Sequence, residues 1–317
     1  MEKKINMASF LMPYNSACIK GIAALCIMLG HYLSSFPWYI GGWLHGYLWV
    51  GIFFFYSGYG LRRSVETKEN YLENFWKHKF RTVLCPYMFA AGAAALFYYL
   101  NKKIVWYELV LGPILGFQYN KILWYVVELL VIYILFYLVQ SYWAQSLEII
   151  MCVSYVVLVV LGVLFNIGTW WYISTSTFLM GIMSEYVYDF LNKVKAGRRS
   201  LMIVFAFLYA VIIMNEERII VFPWKETYVI TFIQMISVPL FTLMMMCLKF
   251  DFEKWEMTLV KLLSKISYEV YLWHMLILWI NQSWGGISII TCMISVLETI
   301  VWAMVLNWCK RKWIINV

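Results

Sequence analysis

Charge is scarce in this chain. Only 13% of its 317 residues are Asp, Glu, Lys or Arg, about half the quarter usual in soluble domains, which excludes an ordinary water-soluble globule. Proline is scarce as well, with six in all, and no stretch between the apolar runs is long enough for a separate soluble domain. The seven cysteines, at 18, 26, 85, 152, 247, 292 and 309, include no CxxC pair. They offer neither a disulfide framework nor a metal-ligand set, and they fit small core residues instead. No metal is expected. The chain has no internal repeat and no low-complexity linker. Its first apolar run has no A-x-A-like cleavage site, so the run is read as a retained helix rather than a signal peptide.

What fills the chain is hydrocarbon: 63% hydrophobic residues and a mean hydropathy of +0.73. A membrane-crossing helix needs about 20 apolar residues, and ten segments come near that, at about 19–36, 43–61, 82–100, 122–140, 147–165, 169–188, 200–214, 228–248, 265–281 and 286–308. The breaks carry turn chemistry or charge, as in "FPWYIGG", "KAGRRS" and "SWGG". The fold class predicted is therefore all-α: one polytopic membrane domain over residues 1–317, with 1–18 as a cytoplasmic or interfacial segment. The net charge of +8 does not indicate nucleic acid, because the basic residues fall in short clusters between apolar runs. With the N-terminus inside, alternate loops collect twenty Lys and Arg on one side and five on the other. That asymmetry predicts both termini to be cytoplasmic.

Ionisable side chains inside hydrocarbon cost several kcal/mol unless they are paired or face a cavity, which makes His31, Glu128, His274 and Glu298 the short list. His31 stands eleven residues after Lys20, roughly 16 Å along a helix, and is expected near the bilayer midplane. A neutral imidazole there can take a proton, and Glu128, at overlapping depth, is the carboxylate expected to orient it. A hydrogen-bonded packing histidine is the alternative for His31. For His274, in "YEVYLWHM", aromatic packing is the simpler reading, and Glu298 also suits a polar contact between helices.

Two further stretches carry signals. In "WVGIFFFYSGYGLRRS", Ser57, Gly58, Tyr59 and Gly60 precede Arg62 and Arg63. Small residues admit close approach and paired arginines suit phosphate, although helix packing and the positive-inside rule explain the same pattern. "NFWKHKFRTVLCPY" reads as an interfacial stretch closed by Pro86, from which Arg81 reaches a cytoplasmic anion or merely snorkels.

Taken in order, "IKGIAALCIMLGH", "WVGIFFFYSGYGL", "FWKHKFRTVLCPY", "LWYVVELLVIY" and "ISYEVYLWHMLI" resemble the acyltransferase family 3 membrane proteins, over about residues 15–310. The resemblance implies about ten transmembrane helices in a bacterial cell membrane. It also implies transfer of an acyl group, usually acetyl, from cytoplasmic acyl-CoA to a sugar hydroxyl of a surface or lipid-linked glycan. The family's first-helix motif places a basic residue, typically arginine, eleven positions before its essential histidine, and Lys20 and His31 stand at those positions here. On this reading His31 is the general base, with an acyl-histidine as the other possibility, and Glu128 orients it. Lys20, Ser57, Tyr59, Arg62, Arg63 and Arg81 line the path of the acyl-CoA. Trp43, Tyr47, Trp124 and His274 contact the acceptor. Two rival readings from the residues alone are a glycan exporter with proton-coupled His and Glu and a sensory or scaffold protein in which the histidines only pack.

Overall fold

In the computed structural model, residues 9–36, 44–101, 103–115, 123–193, a few positions between 200 and 210, 226–252 and 258–312 are described. Every regular element among them is a helix. In chain order these are α1 (Pro13–Leu33), α2 (Gly46–Thr67), α3 (Phe75–Leu100), α4 (Trp106–Leu115), α5 (Trp124–Tyr142), α6 (Leu147–Leu164), α7 (Ser176–Ile182), α8 (Ser184–Lys193), α9 (Glu226–Cys247), α10 (Thr258–Gly285) and α11 (Ile289–Lys310).

Five helical stretches are long and apolar enough to cross a membrane: Pro13–Leu33, Phe75–Leu100, Trp124–Tyr142, Ala144–Leu164 and Ile289–Lys310. Helices α2 and α10 have the length but are more polar. Both lie inside the bundle, where a helix faces other helices instead of lipid. By contrast, α6 and α11 turn large apolar side chains outward, among them Val156, Val160, Leu297 and Val301, as lipid solvation permits. The seventh expected segment, 200–214, falls mostly outside the described residues. The sixth, 169–188, is not one helix but a 3-10 turn at Thr169–Trp171 followed by the short α7 and α8. The run "YISTST" explains the break. Its hydroxyls bond to backbone carbonyls, Thr177 Oγ1 donating to Ser174 at 2.7 Å and to Gly51 at 2.7 Å, and such bonds compete with a continuous helix.

Helix α1 starts at Pro13 rather than near residue 19. Proline suits the first helical position because its missing N–H has no partner there in any case. Asn15 then ties this end to the chain after α9, its Nδ2 donating to the carbonyls of Ser9 and Phe250 at 2.9 and 3.0 Å. The helix also ends at Leu33 rather than near residue 36, which puts His31 in its last turn. The "NFWKHKF" stretch likewise joins the third segment as one helix, widened into a π turn over Phe80–Leu84. Pro86 accounts for the widening, since its ring clashes with the preceding turn and it donates no hydrogen bond. Tyr268 on α10 donates to the Val83 carbonyl at 2.9 Å, so the disturbed turn is satisfied from a neighbour.

Helix α1 packs mainly on α10, and α2 on α7. Glycine sets the second spacing. A methyl group on Gly58 would lie 2.1 Å from the Phe178 carbonyl oxygen, and one on Gly181 would lie 2.1 Å from that of Phe55. The backbones touch, and neither can withdraw without the other. A Gly58→Val substitution is expected to destabilise the bundle by about 1–3 kcal/mol, read as a lower midpoint in detergent thermal unfolding. An unchanged midpoint would show that this contact bears no load.

Candidate active site

Helix α2 sorts its side chains by the 3.6-residue period. One face carries Phe53, Ser57, Gly60, Ser64 and, just past the helix end, Lys68. These line a cavity of about 280 Å³ together with Lys20 from α1 and His78, Lys79, Tyr71 and Tyr133. Three lysines and a histidine meet there, and no carboxylate among the described residues lines the cavity. Each ammonium instead sits over an aromatic ring: Lys20 5.9 Å from the Tyr56 centroid, Lys68 5.8 Å from Tyr71, and Lys79 4.2 Å from Tyr133. Aromatic faces attract a cation but do not neutralise it, so the cavity keeps a net positive field. A methyl group on Gly60 would meet nothing within 4 Å. That glycine opens onto the cavity, whereas Gly58 belongs to the packing contact.

The opposite face of α2 holds Tyr59, Arg62 and Arg63, all expected at the donor. Arg62 is ion-paired with Glu66 and, at 3.1 Å, with Glu148. Tyr59 lies toward Arg63 and Glu185, and Arg63 is exposed. Arg81 is half-buried and does not line the cavity. The period explains the split: residues two and five positions after Ser57 lie on the other side of the helix. Lys79 and His78 of "FWKHKF" and Lys68 are what the sequence reading passed over. A helical wheel of α2 would have put Lys68 on the face of Phe53, Ser57 and Ser64.

From this cavity an aromatic file leads along the helices to His31. The Phe53 ring lies 6.0 Å from Tyr125 and 6.2 Å from Tyr271, and Tyr271 lies 6.0 Å from His274. His274 and His31 come next, with ring centroids 5.4 Å apart and planes inclined by 22°. His31 is half-exposed, and its Nε2 would be 3.9 Å from a methyl group on Gly46. A bare glycine thus stands opposite the ring. His274 is wholly buried, and Tyr32 ties its strand of contacts together by donating to the His274 carbonyl at 2.7 Å and bonding Thr299 at 3.0 Å.

Glu128 does not reach His31. It is buried and accepts a hydrogen bond from Thr175, while its Oε2 has no partner among the described residues. Its position on α5 faces the Trp171–Thr177 segment, and the ring beside His31 is that of His274 on α10. Tyr47 and Trp124 converge on that same segment: Ser174 Oγ donates to the Tyr47 carbonyl at 2.8 Å, and Trp124 lies 6.3 Å from Trp171. Trp43 lies outside the described residues. Glu298 is hydrogen-bonded by Asn281 across α10 and α11, the helix-to-helix contact that one reading of the sequence foresaw.

A family model for an acyltransferase domain, of the acyltransferase 3 type, matches residues 15–308. This chain belongs to the acyltransferase 3 family. The match runs from the first turn of α1 to the last turn of α11 and so takes in the cationic cavity, the aromatic file, His31 and His274. No curated protein and no solved structure matches the chain. As an acyltransferase 3 member it is a membrane acyltransferase, which gives the paired imidazoles and the uncompensated cations a chemical setting.

Proposed function

We propose that this membrane acyltransferase moves a short acyl group, acetyl in the first instance, from cytoplasmic acyl-CoA to a hydroxyl of a cell-surface or lipid-linked glycan in the bacterial cell membrane, with His31 as general base. What supports the reading is a cluster of cations beside Lys20, two turns into α1, and an imidazole in the last turn of the same helix. Lys20 and His31 are eleven residues apart, roughly 16 Å at 1.5 Å per residue. CoA has the matching form: phosphates at one end, then a slender pantetheine arm, then the thioester.

Lys20, Lys68, Lys79 and His78 would hold the phosphates, with Ser57 beside the start of the arm. Phe53, Tyr125 and Tyr271 would flank the arm on its way to the histidines. At His31 the acceptor hydroxyl gives up its proton to the imidazole while its oxygen bonds to the thioester carbonyl carbon. The C–S bond then breaks, and the proton passes from His31 to the departing thiolate. Tyr47 and Trp124, held by the Trp171–Thr175 segment, form the wall assigned to the sugar. Glu128 belongs to that wall and not to the base.

Gly60→Leu tests the path without touching a charge. A leucine there fills the cavity, so the KM for acetyl-CoA is expected to rise about tenfold or more, the effect of excluding a well-fitted ligand group. The purified protein should also lose retention on immobilised CoA while keeping its melting temperature. Normal retention and KM would place the donor elsewhere.

A further inference from the structure

His274 carries an unused nitrogen. Its Nδ1 lies 2.8 Å from the Tyr271 carbonyl and 3.2 Å from that of Val270. A carbonyl oxygen only accepts, so the ring proton sits on Nδ1 and the lone pair on Nε2. That Nε2 is buried and has no partner among the described residues. It belongs to a ring that is 0% exposed and is held beside His31 at 5.4 Å between centroids. The ring has little freedom to turn away. Its Nδ1–H is anchored to its own helix, and Tyr271 and Tyr32 flank it at 6.0 and 6.3 Å.

We propose that His274 is the positioning residue for His31. In the working enzyme its Nε2, unpartnered among the described residues, takes a hydrogen bond from the N–H of the neighbouring His31, which fixes the tautomer and leaves the other nitrogen of His31 to take the acceptor's proton. This rests on the reading of His31 as base. Through the transfer His274 neither gains nor loses a proton. It holds the N–H of His31 as that ring becomes an imidazolium, and it releases no charge when the proton leaves with the thiol. A neutral acceptor suits this place better than a carboxylate, which would carry a full charge into a buried aromatic shell. Packing alone explains the Nδ1 bond to the helix backbone. It does not explain a second nitrogen left unsatisfied beside the His31 imidazole.

Two substitutions separate these roles. His274→Asn keeps an N–H close to the place of Nδ1 and removes Nε2, whereas His274→Gln keeps a polar atom near Nε2. The first readout is the rate at which diethyl pyrocarbonate modifies His31 in the full-length protein at about pH 8, where imidazoles are ordinarily neutral, followed by peptide mass spectrometry. His274→Asn should slow that modification about tenfold, the worth of one hydrogen bond to a group that becomes charged, with glutamine restoring most of it. In turnover, kcat should fall by a similar factor with the acetyl-CoA KM unchanged. Equal modification rates in wild type and His274→Asn overturn the proposal, as does a wild-type His31 that does not react at all. If the asparagine variant fails to fold, 15N solid-state NMR of the wild-type protein decides, since the chain has only four histidines. Protonated Nδ1 on His274 with an N–H···N contact between the rings is expected; protonated Nε2 on His274 refutes it. The modification assay needs no acyl transfer. A coupled pair in a protein whose His31→Ala variant still turns over would therefore sink the base and leave the pair, while an inactive His31→Ala with uncoupled rings would do the reverse.

Discussion

His31→Ala is expected to reduce acyl transfer by about 10²–10⁴-fold, the usual contribution of a positioned general base, and to leave the protein folded. The folding half follows from the geometry. No hydrogen bond to the His31 ring is formed among the described residues, and the ring is partly exposed, so alanine takes no observed bond away; the acceptor proposed for it, His274 Nε2, is already unbonded among them, and the void is small. The catalytic half follows from placement. Among the described histidines, His78 is at the cationic cavity, His274 has no exposed surface, and His45 packs against Tyr47 at 5.1 Å, off the aromatic file, which leaves His31 as the imidazole along that file that an incoming hydroxyl can touch. Thiol release from acetyl-CoA by purified protein measures the loss directly, and ester content of the surface glycan measures it in cells. Ester content at the wild-type level would remove His31 from the chemistry. Loss of the polymer itself, rather than of its esters, would revive the export reading. Acid-quenched mass spectrometry of the wild-type protein after mixing with acetyl-CoA distinguishes direct transfer from an acyl-histidine, because only the second adds an acetyl group to the His31 peptide.

The second large effect is expected at the donor end. Lys20→Met with Lys79→Met should raise the dissociation constant for acetyl-CoA by about 10²-fold or more while kcat changes little. A hydrogen bond to a charged group is worth about 1.5–3 kcal/mol, so each lysine lost costs roughly 10–100-fold in affinity. Methionine keeps the apolar stem over the Tyr56 and Tyr133 rings and removes the charge alone. Added salt should weaken wild-type binding and affect the double variant much less, since screening acts on the missing charges. Arg62→Met is the internal comparison. With its guanidinium already taken by Glu66 and Glu148, it should change donor affinity by less than about threefold, an exposed ion pair being worth at most about 1 kcal/mol. Equal losses at Arg62 and Lys79, or none at the lysines, would move the phosphate site off this cavity.

Much of the active-site half of the molecule was legible before any coordinates. Hydropathy marked the spans of α5, α6 and α11 to within a few residues, because lipid-facing helices must be apolar nearly all round. The same criterion misjudged 169–188, where serine and threonine hydroxyls divide an apolar run into short helices, and it placed the start of α1 six residues late, because a buried Asn15 and Pro13 do not register as hydrocarbon. His31 stood out as an ionisable group in an otherwise smooth run. Lys79 did not, since a lysine in a basic loop is the ordinary consequence of topology.

The sequence by itself determined that this is an all-helical membrane protein, that Lys20 and His31 share one helix at a fixed separation, and that the acyltransferase 3 pattern runs through nearly all of it. Those properties depend on composition and on spacing along the chain, and both are local. Which groups lie against one another was decided only by the tertiary structure. It paired Arg62 with Glu148, hydrogen-bonded Glu128 to Thr175, set the His31 ring beside that of His274, and left three lysines facing tyrosines. Side-chain partners come from helices far apart in the chain, and a rotation of one helix by a single residue, about 100°, exchanges one set of partners for another.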